Sequence, residues 1–204
     1  MKLVILDRDG TINEDRDDYV KSPEEWVAMP GALEAIARLN HAGWHTVIAT
    51  NQSGLARGLL DMAALNAIHA RMNRELAAFG GRIDAVFFCP HGPDDGCRCR
   101  KPLPGLFEMI AERYGVDLGE AHLVGDSLRD LQAGAAAGCA THFVRTGKGA
   151  GLDPARLDEL LHGVPGARAH ADLAAFAHAL IHDERRERGL ADDEADSLFG
   201  ELGG

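Results

Sequence analysis

The sequence predicts an α/β fold with a doubly wound, mostly parallel, Rossmann-like sheet that is covered by helices on both faces. Short apolar runs rich in Val, Ile, Leu and Phe lack the alternation of half-exposed strands, so they indicate strands buried on both faces. Amphipathic helical patterns lie between these runs, as expected for right-handed crossovers between parallel strands. Polar clusters follow the runs, and in such folds ligands bind where the strands end.

Five strands are predicted, and each is a short run bounded by polar or turn residues. They lie at about 2–7, 45–50, 83–88, 121–125 and 140–144.

Four helices are predicted from start and stop signals around periodic segments. The first, 31–42, begins after Pro30 and ends near Gly43, and the second, 62–79, has Asp61 as its N-cap. The third, 104–114, opens with Pro104, and the fourth spans 128–137. After turns marked by Pro154, a weaker helical stretch at about 171–182 precedes a charged segment.

Length and composition favour one globular domain over 1–183, followed by a charged tail at 184–204 that we expect to be mobile. The formal net charge of -11 argues against a nucleic-acid partner. We see no signal peptide and no run of the ~20 apolar residues that a membrane span requires. The expected protein is a soluble, cytoplasmic monomer that acts on a small molecule.

Asp7 and Asp9 end the first predicted strand and project to the same side of it. Two adjacent carboxylates suit Mg²⁺, and one of them can attack phosphorus while the other transfers protons. Read alone, the DRDG segment is equally typical of a turn that ends a strand.

Three further clusters supply what phosphoryl transfer needs. Thr50 and Asn51 offer a hydroxyl and an amide to phosphoryl oxygens, although they are also typical of a strand end. Lys101 offers a cation, although an isolated lysine before a proline is commonly a solvated loop residue. Asp126 can complete the metal site, and Asp130 can either orient Lys101 or a metal-bound water, or cap the following helix.

The segments DRDGT, TNQSG, RKP and GDSLRD together resemble the four ordered motifs of the haloacid dehalogenase (HAD) superfamily of phosphohydrolases, over roughly residues 1–147. The resemblance implies that Asp7 is the nucleophile and Asp9 the general acid and base, and that Thr50 and Lys101 stabilise the phosphoryl group. It also implies Mg²⁺ held by Asp7, the Asp9 carbonyl and Asp126. The spacings leave no room for a large cap domain, so we expect a capless member.

Cys89, His91, Cys97 and Cys99 form a CxHx5CxC pattern within the loop 89–99. Three thiolates and an imidazole complete the tetrahedral shell of a structural Zn²⁺. The alternatives are reduced surface thiols or, less favourably, a disulfide. A zinc ion here would stabilise a Gly- and Asp-rich loop beside the predicted active site, while Cys139 is predicted to lie in the core.

A zinc loop before RKP is similar to two groups within the superfamily, the D-glycero-D-manno-heptose 1,7-bisphosphate 7-phosphatases and the histidinol-phosphate phosphatases. TNQSGLARG and DRDGTINEDRDDYV resemble the heptose group, although Asp18 stands where that group usually has Gly and one residue is added before Tyr19. A bisphosphate needs a second anion site, for which Arg57, Arg100 and Lys148 are candidates. The candidate substrate-binding residues are Asp15, Tyr19, Asn51, Gln52, Ser53, Arg57 and Arg100.

The expected reaction therefore removes the 7-phosphate of the heptose bisphosphate through an aspartyl phosphate. The 1-phosphate product would serve nucleotide-activated heptose synthesis for lipopolysaccharide or a related glycan. Histidinol phosphate is the alternative substrate, with Ser53 and Arg57 as the discriminating residues. A catalytically silent, zinc-stabilised interaction module is a remote alternative, which the intact acidic residues and Lys101 disfavour.

Overall fold

The computed structural model describes residues 1–189 and contains one six-stranded sheet in which all neighbouring strands are parallel. The strands are β1 (Leu3–Leu6), β2 (His45–Asn51), β3 (Ala85–Cys89), β4 (His122–Gly125), β5 (Ala140–Val144) and β6 (Arg168–His170). Their order across the sheet is β3-β2-β1-β4-β5-β6. This order confirms the predicted doubly wound α/β fold, and it places the topological switch point between β1 and β4.

Six helices connect or follow the strands. They are α1 (Ala32–His41), α2 (Met62–Ala78), α3 (Gly105–Tyr114), α4 (Leu128–Ala136), α5 (Pro154–His162) and α6 (Leu173–Glu187). Short 3₁₀ helices lie at Pro23–Glu25, Leu118–Glu120 and Gly147–Gly149. The predicted N-cap of α2 is confirmed, since the Asp61 side chain accepts a hydrogen bond from the Ala64 amide at 2.8 Å.

The two faces of the sheet carry separate hydrophobic cores because successive strand side chains point to opposite faces. Val4, Leu6 and Ile48 pack with α1, α2 and α6. Leu3, Ile5 and Val47 pack with α3 and α4, in the same cluster as Cys139, which is buried as predicted. Strands β1, β2 and β4 are therefore buried on both sides, which explains their continuous apolar runs, whereas the edge strand β3 is mostly half-buried.

Two elements were missed, and one was predicted too short. Strand β6 is only three residues long and largely polar, so it carries no apolar run. Pro154 is predicted to mark a turn but instead starts α5 at its first position, where the missing amide proton costs nothing. Helix α6 continues through Glu187, so the predicted domain boundary at 183 falls inside a helix.

The first part of the predicted tail is docked on the sheet rather than free. The Glu184 carboxylate accepts a hydrogen bond from the Trp44 indole at 3.2 Å and pairs with Lys2 and Arg188. The remainder of that tail, 190–204, lies outside the described residues. Within 1–189, no helix combines the length and apolar character that crossing a bilayer requires.

Candidate active site

The nucleophile candidate and the metal-ligand candidate come together at the switch point of the sheet. Asp7 follows β1 and Asp126 follows β4, and these strands are neighbours with Leu6 paired to Val124. The Asp7 amide donates to the Val124 carbonyl at 2.9 Å, which continues the strand pairing up to the reactive residue. Asp7, Asp126 and Asp130 each offer a carboxylate oxygen within 4.8 Å of the others.

Lys101 is buried among these carboxylates with all three of its ammonium protons directed at acceptors. Its Nζ lies 2.7 Å from Asp7 Oδ1, 2.8 Å from the Ala49 carbonyl and 2.5 Å from Asp130 Oδ1. Asp130 also accepts from the amide and hydroxyl of Ser127 through Oδ2, at 3.0 and 2.6 Å. The two alternatives for Asp130 therefore hold together, because one oxygen caps α4 and the other orients Lys101.

Asn51 holds the backbone of Lys101. Its Nδ2 donates to the Lys101 carbonyl and its Oδ1 accepts from the Lys101 amide, both at 3.1 Å. Asn51 lines the candidate cavity, yet both polar atoms of its amide are engaged by this pairing. The geometry thus gives Asn51 a supporting position, and contact between Asn51 and substrate stays a prediction.

Asp9 is surrounded by hydrogen-bond donors. Its Oδ1 accepts from Arg8 Nε at 3.1 Å, from Arg8 Nη2 at 2.8 Å and from Asn13 Nδ2 at 3.0 Å. Its Oδ2 accepts from Arg8 Nη2 at 3.0 Å and from Gln52 Nε2 at 2.9 Å. The same Gln52 nitrogen lies 3.0 Å from Thr50 Oγ1, so Gln52 links the two predicted catalytic side chains.

Two glycines make room for Asp126. A Cβ on Gly10 would lie 2.0 Å from Asp126 Oδ2, and one on Gly147 would lie 2.2 Å from the same atom. Both residues have positive φ, at 84° and 50°, which glycine adopts without steric cost. The Lys148 amide, one residue beyond Gly147, then donates to Asp126 Oδ2 at 2.7 Å.

The electrostatics of the carboxylate group favour a cation. Burial, together with the charges of Asp7 and Asp130, raises the pKa of Asp126 to about 8. Burial and the Asp130 charge likewise raise the pKa of Asp7 to about 6, although Lys101 opposes this shift. Burial alone would lower the pKa of Lys101, but Asp130 and Asp7 raise it, so the ammonium stays charged. Asp7 and Asp126 thus form an electron-rich oxygen pair of the kind that suits a divalent cation.

The pKa of Asp9 moves in the opposite direction. Burial by itself would raise it, but the Arg8 guanidinium and the hydrogen bonds from Asn13, Arg8 and Gln52 lower it. The two aspartates, two residues apart, therefore lie in different electrostatic environments.

These side chains line a cavity of about 270 Å³ at the carboxyl ends of the strands. A second cavity of about 340 Å³ adjoins it and shares Arg100, Lys101 and Arg129. A larger cavity of about 460 Å³ lies at the opposite edge, between α6 and the amino ends of the strands. Asp7, Asp9, Asp126 and Asp130 line the first cavity and not the larger one, so we place the candidate active site in the first.

Most of the predicted substrate-binding residues line the first cavity. They are Asp15, Tyr19, Asn51, Gln52, Ser53 and Arg100. Arg57 does not line it, and its guanidinium instead lies 5.9 Å from the centre of the Tyr19 ring. Tyr19 has a φ of 67°, an uncommon backbone conformation for a bulky residue, at the point where this chain departs from the heptose pattern. The contribution of Arg57 to substrate binding stays a prediction.

The four predicted zinc ligands converge. Cys89 Sγ lies 3.6 Å from both Cys97 Sγ and His91 Nδ1, and His91 Nδ1 lies 3.3 Å from Cys99 Sγ. Tetrahedral Zn²⁺ with ordinary bond lengths places its ligand atoms roughly 3.5 to 3.8 Å apart. The cluster therefore fits a structural zinc ion, and the His91 carbonyl accepts from Arg100 Nη1 at 3.1 Å.

Several residues around the site were missed from the sequence. One is the fully buried Arg8, which stands inside the DRDG segment. Its Nη1 lies 3.2 Å from Nε2 of His69, a residue 61 positions away. Thr146 and Gly147 follow β5 in a segment without any recognisable motif. The Thr146 hydroxyl donates to the Gly10 carbonyl at 2.6 Å. Arg129 was overlooked inside GDSLRD although it lines both adjoining cavities.

Comparison with known proteins identifies the family of this chain. Residues 98–174 match the HAD-hydrolase-like family. The chain is 60% identical over 184 residues to the D-glycero-beta-D-manno-heptose-1,7-bisphosphate 7-phosphatase of Bordetella bronchiseptica, covering 90% of this chain and 99% of that protein. It is 51% identical to the Pseudomonas aeruginosa protein of the same name, covering 88% of this chain and 97% of that one.

A solved structure extends the likeness to three dimensions. The crystal structure of the D,D-heptose 1,7-bisphosphate phosphatase from B. bronchiseptica, complexed with magnesium and phosphate, matches with a TM-score of 0.83 at 60% identity. The match covers 90% of this chain and 99% of that chain.

Proposed function

This chain belongs to the D-glycero-beta-D-manno-heptose-1,7-bisphosphate 7-phosphatase family, and from that premise we propose that it removes the 7-phosphate of the heptose bisphosphate. The observation that carries the proposal is the 60% identity to the Bordetella bronchiseptica phosphatase over 99% of that protein. The proposed substrate is the β anomer, because the Bordetella bronchiseptica and Pseudomonas aeruginosa relatives bear that name. The product, a heptose 1-phosphate, suits nucleotide activation toward a heptose-containing glycan such as lipopolysaccharide.

The geometry of Asp7 suits nucleophilic attack. Lys101 holds one carboxylate oxygen and offers positive charge beside the group being transferred, so charge that develops on phosphoryl oxygens is neutralised without reorganisation. The Thr50 hydroxyl, at the end of the adjacent strand, lines the same cavity and donates to a phosphoryl oxygen. Attack by Asp7 forms the Asp7–phosphorus bond as the bond from phosphorus to the sugar oxygen breaks.

Asp9 supplies the proton to the departing sugar oxygen and then receives one from the water that hydrolyses the aspartyl phosphate. Magnesium, when bound by Asp7, Asp126 and the Asp9 carbonyl, supplies charge that offsets these carboxylates and the phosphoryl oxygens. The raised pKa values of Asp7 and Asp126 support this assignment, since a divalent cation would remove the cost of ionising both.

The second phosphate is bound outside the carboxylate group. Arg100 lines the junction of the two cavities and is held by the His91 carbonyl, while Lys148 pairs with Asp15 at the opening. Within residues 1–189, Arg129 has no ion-pair partner, although it lines both cavities. We therefore assign the anomeric phosphate to Arg100 and Arg129, with a role for Lys148 and Arg57 at the edge of the site.

The proposal includes a cytoplasmic, monomeric enzyme with a structural zinc. A thiolate zinc shell suits a reducing compartment, and the four cysteines are unpaired by disulfides in the described structure. A sizing experiment that shows a single-chain mass supports the monomer, and a dimer would overturn it.

The decisive experiment is phosphate release with Mg²⁺ from the β and α heptose 1,7-bisphosphates and from histidinol phosphate, side by side. We expect preference for the β anomer and loss of activity in Asp7→Asn. Preference for histidinol phosphate would overturn the substrate assignment. Activity retained in Asp7→Asn would overturn the nucleophile and revive the interaction module.

A further inference from the structure

The arginine between the two aspartates has no role in the reaction described above, yet it is among the most completely buried side chains in the protein. Arg8 has 0% of its surface exposed. Burying a guanidinium is costly unless its donors are satisfied and its charge is paired. Its Nε and Nη2 face the Asp9 carboxylate, and its Nη1 faces His69.

The two oxygens of Asp9 are not equivalent. Oδ1 receives three hydrogen bonds, two from Arg8 and one from the buried Asn13. Oδ2 receives a longer bond from Arg8 Nη2 and one from Gln52 Nε2. The Gln52 nitrogen shares its two N–H donors between Oδ2 and Thr50 Oγ1, so it keeps one acceptor when its bond to Oδ2 is broken.

We infer that Arg8, oriented by His69, is a positioning residue that anchors Asp9 through Oδ1 and leaves Oδ2 as the oxygen that transfers protons. This inference rests on the proposed function and deepens it. In the first half-reaction, the proton that Asp9 Oδ2 took from water in the preceding turnover moves to the sugar oxygen as that oxygen takes the electron pair of the bond to phosphorus. Asp7 gains the phosphoryl group in the same step, and Asp9 returns to the carboxylate that Arg8 stabilises.

His69 fixes the direction of the guanidinium. Arginine only donates, so His69 Nε2 is the acceptor of the 3.2 Å contact and its ring proton resides on Nδ1. Helix α2 therefore contributes to the site through a residue that no motif marks. Replacement of His69 by glutamine preserves an acceptor, whereas replacement by leucine removes it, and this pair provides a matched comparison.

The test measures kcat/KM for two substrates whose leaving groups differ in their need for a proton. Heptose 1,7-bisphosphate must release an alkoxide, whereas p-nitrophenyl phosphate releases a stabilised phenolate. General acid catalysis contributes about 10²- to 10⁴-fold to a step that needs the proton. We expect Arg8→Met to lower kcat/KM for the heptose substrate by about 100-fold. For p-nitrophenyl phosphate, we expect the loss in kcat/KM to be about tenfold or smaller.

The remaining variants make the outcome decisive. We expect Arg8→Lys to show an intermediate loss. His69→Leu should lose more activity on the heptose substrate than on p-nitrophenyl phosphate, as Arg8→Met does, but to a smaller extent. His69→Gln should keep the activity of the unaltered chain on both substrates. Adding Arg8→Met to Asp9→Asn should cause no further discrimination, because Arg8 acts through Asp9. If Arg8→Met does not fold, the comparison of His69→Leu with His69→Gln still tests the inference, because His69 is only half-buried.

Equal losses on both substrates in the Arg8 and His69 variants would overturn the inference and assign the arginine to folding alone. Equal losses in Asp9→Asn itself would overturn both the acid role of Asp9 and the inference. Neither result bears on Asp7, so inactivity of Asp7→Asn on both substrates would still support the proposed function.

Discussion

Asn51 and Lys101 exchange two hydrogen bonds of 3.1 Å through the carboxamide of one residue and the main chain of the other. The pairing joins the end of β2 to the loop that follows the zinc site, and it sets where the Lys101 ammonium enters the carboxylate group. A residue predicted to touch substrate thus also determines the position of another residue.

The Asn51–Lys101 pairing predicts a loss in Asn51→Ala. Removing two hydrogen bonds of about 1 kcal/mol each, and leaving their partners unsatisfied, is expected to lower kcat/KM about 10- to 100-fold. Steady-state kinetics with a thermal melt of the same preparation check this. Unchanged kcat/KM with a lowered melting temperature would restrict the pairing to a structural role.

Gly10 is predicted to be irreplaceable because its missing side chain leaves room for Asp126. In Gly10→Ala the new Cβ meets Asp126 Oδ2 at 2.0 Å, so we expect loss of magnesium-dependent activity by more than about 100-fold. Gly115→Ala is the matched control, since Gly115 also has positive φ but a Cβ there meets nothing within 4 Å. The control should cost about 1 kcal/mol of stability and leave kcat unchanged. Similar kinetic losses in both variants would contradict the explanation.

Arg129 is predicted to recognise the anomeric phosphate. We expect Arg129→Gln to raise KM for heptose 1,7-bisphosphate about tenfold while leaving KM for heptose 7-phosphate unaltered, because only the bisphosphate presents the second anion. Arg113→Gln, on the exposed Arg113–Tyr114 contact away from both cavities, serves as control. An equal rise in KM for heptose 7-phosphate would contradict the prediction, because this substrate has no anomeric phosphate for Arg129 to bind.

Zinc removal is predicted to act through Arg100. One zinc per chain is expected by metal analysis, and Cys97→Ser should lower both the zinc content and the melting temperature. Because the His91 carbonyl holds Arg100, KM for the bisphosphate should rise more than KM for a monophosphate. A full zinc complement in Cys97→Ser would rule out the assigned ligand set.

His142 predicts a pH dependence of stability. It is buried and bonded to His122 at 2.9 Å and to His170 at 3.0 Å, and burial, with the nearby His122, His170 and Arg168 charges, lowers its pKa to about 3. The unfolded chain binds a proton below the ordinary histidine pKa of about 6.5, whereas the folded chain does not until about pH 3. His142 therefore contributes to the free energy of unfolding above pH 6.5, and this contribution is lost as the pH falls from 6.5 toward 3.

Urea unfolding between pH 6.5 and 5, where the folded and unfolded chains differ in His142 protonation, tests this prediction. The slope of the unfolding free energy against pH should be smaller in His142→Phe than in the unaltered chain, by up to about 1.4 kcal/mol per pH unit. Parallel curves for the two proteins would show that His142 does not contribute.

Local sequence signals were sufficient to predict strands β1 to β5, the convergence of the polar clusters and the convergence of the four candidate zinc ligands. Strands β1 to β5 have strong apolar runs, which are most deeply buried in the central strands, whereas β6 is an exposed edge of three residues without such a run. The zinc spacing is equally informative because all four ligands lie on one loop.

The partnerships between distant residues were not predictable in the same way. Arg8 and His69 are 61 positions apart, and Thr146 reaches Gly10 across 136 positions. Such pairings depend on how helices and loops pack over the ends of the strands, which no local pattern in one sequence reports.

The strand order has a consequence for biosynthesis. Asp7 leaves the ribosome about 120 residues before Asp126, yet β4 must insert beside β1 before the two carboxylates can share an ion. A nascent chain that ends before β4 contains the nucleophile, Thr50, Lys101 and the complete zinc loop, but it lacks Asp126 and therefore one of the proposed magnesium ligands. Phosphatase activity is therefore a late event in the life of each chain, and a truncated product is silent even though most of its motifs are intact.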